Sequence, residues 1–225
     1  MTTSCSAIKK DMEYTRRKNG SWLRLLLTAV LFFMFFSPLP CRAQDEAIDQ
    51  MRGSIDRILE ILRRDVPGEA WEQKKKEIVI IVRQRFDSRE LAQRVLAQHW
   101  KERTEEQREQ FILLFADVLE TTYINKLKSY SNEEIVFKKQ IVNGDKAAVY
   151  SEILRKDQEI PIDYRLLKNS NEWRIYDIII EGVSLVQNYR KQFDQIIKKE
   201  KYEGLILRME EKIKENQEKD REAQA

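Results

Sequence analysis

Residues Trp173 to Phe193 read WRIYDIIIEGVSLVQNYRKQF, and the hydrophobic period changes inside that run. From Trp173 to Ile180 apolar and β-branched residues dominate, behind a turn cluster at Asn169 to Asn171, which is the pattern of a strand. Glu181-Gly182 ends the strand. From Ser184 onward Val186, Tyr189, Phe193, Ile196 and Ile197 recur at helical spacing, and Ser184 is placed to cap the first turn. A buried strand therefore feeds directly into an amphipathic helix. Ile178, Ile179 and Ile180 alternate faces, so apolar material is expected on both sides of the strand's end.

Working outward toward the N-terminus, the same strand pattern holds back to about Ile135. Ile135 to Val142 and Lys146 to Leu154 flank Asn143-Gly144-Asp145, a hairpin signal because Asn-Gly tolerates the positive φ of a tight primed turn. Glu159 to Leu167 follows, with Ile162, Tyr164 and Leu166 on one face, Asp163 and Arg165 on the other, and Pro161 at the strand start or on an edge. With Trp173 to Ile180 this makes a four-stranded antiparallel meander. Toward the C-terminus, helices over Ser184 to Lys199 and Tyr202 to about Asn216 cover one face, the second turning Leu205, Ile206, Met209 and Ile213 inward. Residues 217–225 are charged and lack apolar anchors, so a disordered tail is expected there.

The region before the strands reads as helical. Ile48, Met51, Ile55, Ile58 and Leu62 repeat at steps of three and four within residues 44–64, before Val66-Pro67-Gly68. Ile78 to Val82 is β-branched enough for a strand, yet its flanks are strong helix formers without a turn signal, which favours a helix over residues 69–86. Asp87 caps a short helix on which Leu91, Ala92, Val95, Leu96 and Trp100 share a face. Thr104-Glu105-Glu106-Gln107 is a capping box opening a helix to about Ser129. Its apolar stripe, from Phe111, Ile112, Leu114 and Phe115 to Val118, Leu119, Tyr123 and Leu127, is wider than one helix contact requires. Two layers around the helix, or a helix that lines an apolar cavity, both account for it. The fold class is α+β, with a helical N-terminal part, the meander, and C-terminal helices.

The first 43 residues carry seven basic and two acidic side chains, then an uncharged run from Leu25 to Phe36, then Ser37-Pro38-Leu39-Pro40 and a small residue at Ala43. The run is shorter than the roughly 20 residues of a membrane span, so residues 1–43 read as a secretory signal cleaved before Gln44, leaving one domain over residues 44–216. Of 41 Lys plus Arg and 38 Asp plus Glu, those nine charges leave with the signal and the remainder is near −2, which gives no support for nucleic-acid binding. Both cysteines, Cys5 and Cys41, lie in the same segment, so the exported domain rests on its apolar core.

Chemistry is sparse in what remains. One histidine, His99, and no cysteine remove most nucleophile-base pairs and transition-metal sites. Gly182-Val183-Ser184-Leu185-Val186 lacks the second glycine of a nucleophile elbow. Asp177 and Glu181, four apart on the strand, read as an outward polar stripe or as partners of Arg174 or Arg190. With no Gly-rich phosphate loop either, an enzyme is disfavoured.

The residues also carry a resemblance. Trp173-x-Ile175-Tyr176-Asp177-Ile178-x-Ile180-Glu181-Gly182-Val183-Ser184-Leu185-Val186-x-Asn188-Tyr189-Arg190-x-Gln192-Phe193 closely resembles the signature of the MlaC family, periplasmic phospholipid-binding components of the lipid-asymmetry pathway in the Gram-negative envelope, also called toluene-tolerance proteins. Phe86-Asp87, Leu91-Ala92, Val95-Leu96, Trp100, Thr104 to Phe111, Phe115 and Leu119 to Tyr123 look like the family's central helices, and Ile162-x-Tyr164 like its third strand. The likeness covers most of residues 50–210. One departure is Ala97, where the family usually has glycine; alanine suits a helix better.

The resemblance implies a nuclear-transport-factor-like or cystatin-like arrangement whose cavity holds phospholipid as cargo, with no cofactor, no metal and no catalytic residue. It implies a periplasmic monomer trading lipid between an outer-membrane lipoprotein-porin complex and an inner-membrane lipid ABC transporter complex. On that reading the lipid-contacting candidates are Phe86, Leu91, Val95 and Trp100, then Phe111, Phe115, Leu119 and Tyr123, then Val149, Tyr164, Ile180 and Val183, and finally Val186, Tyr189 and Phe193. About half of these are expected to touch lipid. Asn188 and Arg190 are expected to hold the strand-to-helix junction instead. A hopanoid or other isoprenoid-lipid carrier, and a ligand-free periplasmic interaction module, are the alternatives.

Overall fold

The computed structural model describes residues 46–65, 70–129, 133–155 and 158–222, so the expected signal over residues 1–43 and its cleavage site lie outside them. The elements run α1 (Ala47–Arg63), α2 (Trp71–Arg85), α3 (Ser88–Leu96), a 3-10 turn (Ala97–Glu102), α4 (Glu105–Tyr123) and a second 3-10 turn (Ile124–Ser129). Then come β1 (Glu134–Asn143), β2 (Lys146–Leu154), β3 (Glu159–Asn169), β4 (Glu172–Ile180), β5 (Val183–Ser184) and α5 (Leu185–Glu222). The strands form one antiparallel sheet in the order β1-β2-β3-β4-β5. The meander is thus five-stranded rather than four-stranded. The extra strand arises because Glu181 and Gly182 both take positive φ, as a two-residue primed turn requires, and fold Val183-Ser184 back onto Ile180 and Ile179. At the first hairpin Asn143 pairs with Lys146, and Gly144 at φ +60° takes the strained position.

The run Ile78 to Val82 is helical, with Ile78 and Ile81 buried against α1. The first part of α1 instead lies on the sheet, where Ala47 and Met51 pack with Val149, Leu166, Trp173 and Ile175. Arg85 joins the three elements: its guanidinium donates to Ser54 Oγ (2.9 Å), Gln50 Oε1 (3.1 Å) and the Trp173 carbonyl (2.8 Å). Burial lowers its pKa below the usual guanidinium value. Immediately after it, Asp87 N–H donates to the Ile175 carbonyl at 2.8 Å, so the link from α2 to α3 occupies the edge of β4.

The capping box at Thr104 and Gln107 is formed in both directions, and the Asp87 carboxylate accepts from Glu90 N–H as a cap for α3. The short helix does not continue to Trp100. It stops at Leu96 because Ala97 adopts φ 50°, ψ −117°, a conformation that glycine adopts freely and a Cβ does not. The turn sends Trp100 under Arg108, which stacks on the indole and donates to its carbonyl. Ala97→Gly should relieve about 1–3 kcal/mol of backbone strain against about 0.4–1 kcal/mol of added unfolded-chain entropy. A thermal melt should rise by about 2–4 °C, the shift expected from a net gain near 1 kcal/mol. A fall would mean that the turn is not held in this conformation.

Helix α5 has two arms, residues 185–200 and 202–222, which reverse at Lys201 (φ 66°, ψ −177°). The first arm runs antiparallel to α4, setting Tyr189 against Phe115 (ring centroids 5.1 Å) and Phe193 against Phe111 (5.9 Å). The second runs parallel to α4, from the Tyr202 hydroxyl on the Gln107 carbonyl (2.9 Å) to Asn216 on the Thr121 and Thr122 hydroxyls. So tight a reversal needs Gly204, since a Cβ there would fall 2.4 Å from Glu200 Cβ. Residues 217–222 of the charged tail continue α5 as helix to Glu222. The Asn216 anchor and the Lys219–Glu215 pair one turn apart support that extension.

Candidate ligand cavity

Among the described residues, most buried apolar side chains fall into three clusters. One joins α3, α4 and both arms of α5; one joins the sheet to the start of α1; one joins the end of α1 to α2 and the second 3-10 turn. Between them lies a cavity of about 360 Å³. Its walls are drawn from all three: Leu91, Phe115 and Leu119 from the first, Tyr164 and Ile178 from the second, Ile58, Val79, Val82, Ile124 and Leu127 from the third. Phe86, at the hinge between α2 and α3, touches two of the clusters and lines the cavity as well.

Helix α4 explains its own wide stripe here, because it both packs against α5 and lines the cavity. Phe111 and Val118 face α5, whereas Ile112, Ala116, Leu119, Glu120 and Tyr123 face the cavity, and Phe115 does both. Of the sequence candidates, Phe86, Leu91, Phe115, Leu119, Tyr123, Tyr164 and Ile180 line the cavity. Val95, Trp100, Phe111, Val186, Tyr189 and Phe193 do not; they are packed in the cluster that joins α3, α4 and α5. Val149 is buried between the sheet and α1, and Val183 is exposed on β5.

Sequence reasoning passed over Ile58, Val79, Val82, Ile112, Ala116, Ile124, Leu127, Ile178 and Leu185, and the polar members Arg83, Ser88 and Glu120. One signal was available on α2. Ile78 and Ile81 fill the core while Val79 and Val82 repeat the same spacing one position on, so the helix has a second apolar face.

Polar groups lie at the margins. Arg83 donates to Asp117 (3.0 Å) and Glu120 (2.7 Å) across the gap between α2 and α4. The hydrogen bond to Glu120 raises the pKa of that guanidinium, and burial opposes the shift. Tyr164 is pushed up by burial, its bond with Ser151 opposing the shift, and Tyr189 is pushed up by burial and by the neighbouring Tyr123 hydroxyl. Ile180, expected to be covered, is 36% exposed at the rim, because only β5 lies beyond it and Val183, its cross-strand neighbour, points to solvent.

The junction in Trp173 to Phe193 is built to be rigid. Asp177 accepts from the Ser184 hydroxyl (2.6 Å) and from Val186 N–H (3.0 Å), while Ser184 Oγ accepts from Gln187 N–H (3.1 Å). Asp177 thus has a structural partner, though not an arginine. Arg190 donates to the Arg94 carbonyl and ties α5 to α3, whereas Asn188 accepts from Gln192 within its own helix. His99 bridges to Asp194 at 3.0 Å. Lys198 first, and then His99, lower the pKa of that aspartate. Among the described residues no group of three or more His, Cys, Asp or Glu could hold a metal ion.

Comparison with known proteins places this architecture. A phospholipid-binding protein from Ralstonia solanacearum, solved in complex with a phospholipid, superposes with a TM-score of 0.69 at 26% identity, over 76% of this chain and 98% of its own. The intermembrane phospholipid transport system binding protein MlaC of Haemophilus influenzae is 29% identical over 124 residues, which are 52% of this chain. The match spans 58% of that relative's length. The family description MlaC protein matches residues 52–211, well over half of the sequence, and the chain belongs to the MlaC family.

Proposed function

We propose that this chain is a periplasmic carrier that holds phospholipid acyl chains in the cavity and shuttles phospholipid between outer- and inner-membrane complexes. The observation that carries the proposal is the cavity itself, an almost wholly apolar space left unfilled where three cores meet. A space of this size falls within the ~300–1,000 Å³ typical of ligand sites. The MlaC relative named for phospholipid transport and the structural neighbour holding a phospholipid support the same reading.

The energetics favour transfer by contact. Two acyl chains bury on the order of 30 methylenes at about 0.8 kcal/mol each, so escape into water is negligible and release needs a partner that offers a second apolar site. No residue is catalytic on this reading.

The test is native mass spectrometry of the exported protein purified from an envelope extract without detergent, followed by solvent extraction of what it holds. Phospholipid at near-unit occupancy is the expected result. Hopanoid in its place would change the cargo, and a folded protein that is empty and takes up no added lipid would make it an interaction module.

A further inference from the structure

The two arms of α5 are joined without a loop, and the join does not suit the residues that make it. Lys201 takes φ 66°, ψ −177°, a region that in practice belongs to glycine. The glycine stands three places later, where the three atoms nearest to an added Cβ all belong to Glu200, the closest at 2.4 Å. From Lys198 to Glu203 the sequence has no glycine or proline and consists mostly of strong helix formers. In a straight helix, Cβ atoms four residues apart are about 5–6 Å from each other. Straightening the join therefore relieves Lys201 and frees position 204 from its need for glycine. It also yields one unbroken helix of 38 residues, about 57 Å long.

Straightening carries the second arm off its own α4. That arm buries Tyr202, Leu205 and Met209, and it bonds Gln107 through Tyr202 and Thr121 and Thr122 through Asn216. The same site stands vacant on any second copy that has opened in the same way. The directions of the helices agree. The first arm runs antiparallel to α4 and the second parallel to it, so a straight α5 spanning two copies sets their α4 helices antiparallel. A two-fold axis through the join provides that arrangement. The ion pair across the closed join, Arg208 Nε to Glu200 at 3.1 Å, is exposed at Arg208 and holds it shut weakly.

We propose that a second copy of this chain is the partner of α5: two copies open at Lys201 and exchange their second arms to form a symmetric dimer. A short join under strain is the circumstance that invites such an exchange. Each cavity is kept in the dimer, since none of the described residues of the second arm lines it.

Two substitutions push the join in opposite directions. Gly204→Ala sets a Cβ against Glu200 in the closed form but suits the straight helix, whereas Lys201→Gly suits the closed form and weakens the straight helix. The exported protein and both variants are refolded from denaturant over a series of chain concentrations and sized by light scattering. The native chain should be mainly monomer, with a dimer that grows with concentration. Gly204→Ala should raise the association constant by roughly tenfold or more and Lys201→Gly should lower it by as much, because each dimer contains two joins. Mixed with labelled monomer, the dimer should trade chains slowly, since an arm must first leave its groove. A Gly204→Ala protein that folds and stays monomeric at every concentration overturns the proposal. So does a dimer that trades chains as fast as it is mixed, which marks a side-by-side contact. If Gly204→Ala does not fold, the native chain decides: a dimer fraction that Lys201→Gly leaves unchanged, or no dimer, overturns it.

Discussion

Ala116→Trp is expected to leave the protein folded and empty. Ala116 sits in the cavity wall of α4, half-buried because the space in front of it is open. An indole there occupies volume that acyl chains need, while the face of α4 that packs on α5 through Phe111 and Val118 is untouched. Bound lipid should fall at least tenfold by native mass spectrometry, with the melting temperature changed by no more than a few degrees. The contrasting substitution is Val186→Asp, which puts a charge at a position 4% exposed in the packed cluster. It should cost more than about 4 kcal/mol and unfold the domain. If Ala116→Trp retained full lipid occupancy, the chains would have to lie elsewhere. If it unfolded the protein as Val186→Asp does, the cavity would be ordinary core.

The second large effect is on stability. Arg85→Met keeps most of the aliphatic stem of the side chain but removes the guanidinium that bonds Ser54, Gln50 and the Trp173 carbonyl. Gln50 retains the Trp173 N–H as a donor to its oxygen, at 2.9 Å, but the Trp173 carbonyl loses its tie to α2. Unsatisfied buried acceptors cost about 1–3 kcal/mol each, so a loss of about 2–4 kcal/mol is reasonable for a half-exposed cluster. That corresponds to a fall of about 5–15 °C in a thermal melt. A change under about 1 °C would show that apolar packing of α1 and α2 on the sheet suffices without the ionic tie.

What the sequence made legible depends on neighbours in the chain. Thr104 and Gln107 are three apart and cap each other; Asn143-Gly144-Asp145 turns a hairpin; Ser184 caps the first turn of α5. Each needs only a local geometry that the residue types prefer. Ala97 shows the limit, because its helix propensity is overridden by the need to swing Trp100 beneath Arg108.

The cavity was harder to read for a geometric reason. Phe111 and Leu119 are equally apolar on one helix, yet one meets Phe193 and the other open space, and only the placement of α5 decides between them. Val79, Val82, Ile124 and Leu127 reach the cavity because α1 and α2 close over it. No periodicity within one element reports where another element comes to rest.

A pocket placed on the seam between three cores can change without remodelling any of them. Side chains such as Val82, Ile112 and Leu127 already face space on one side, so trimming one leaves little new void and enlarging one meets little resistance. Their counterparts in the clusters, Phe111, Ile78 and Leu166, are fully enclosed and admit almost no alternative. Under mutation the wall is therefore free to drift in shape while the fold stays fixed. Related chains can diverge in what they accommodate far faster than they diverge in architecture.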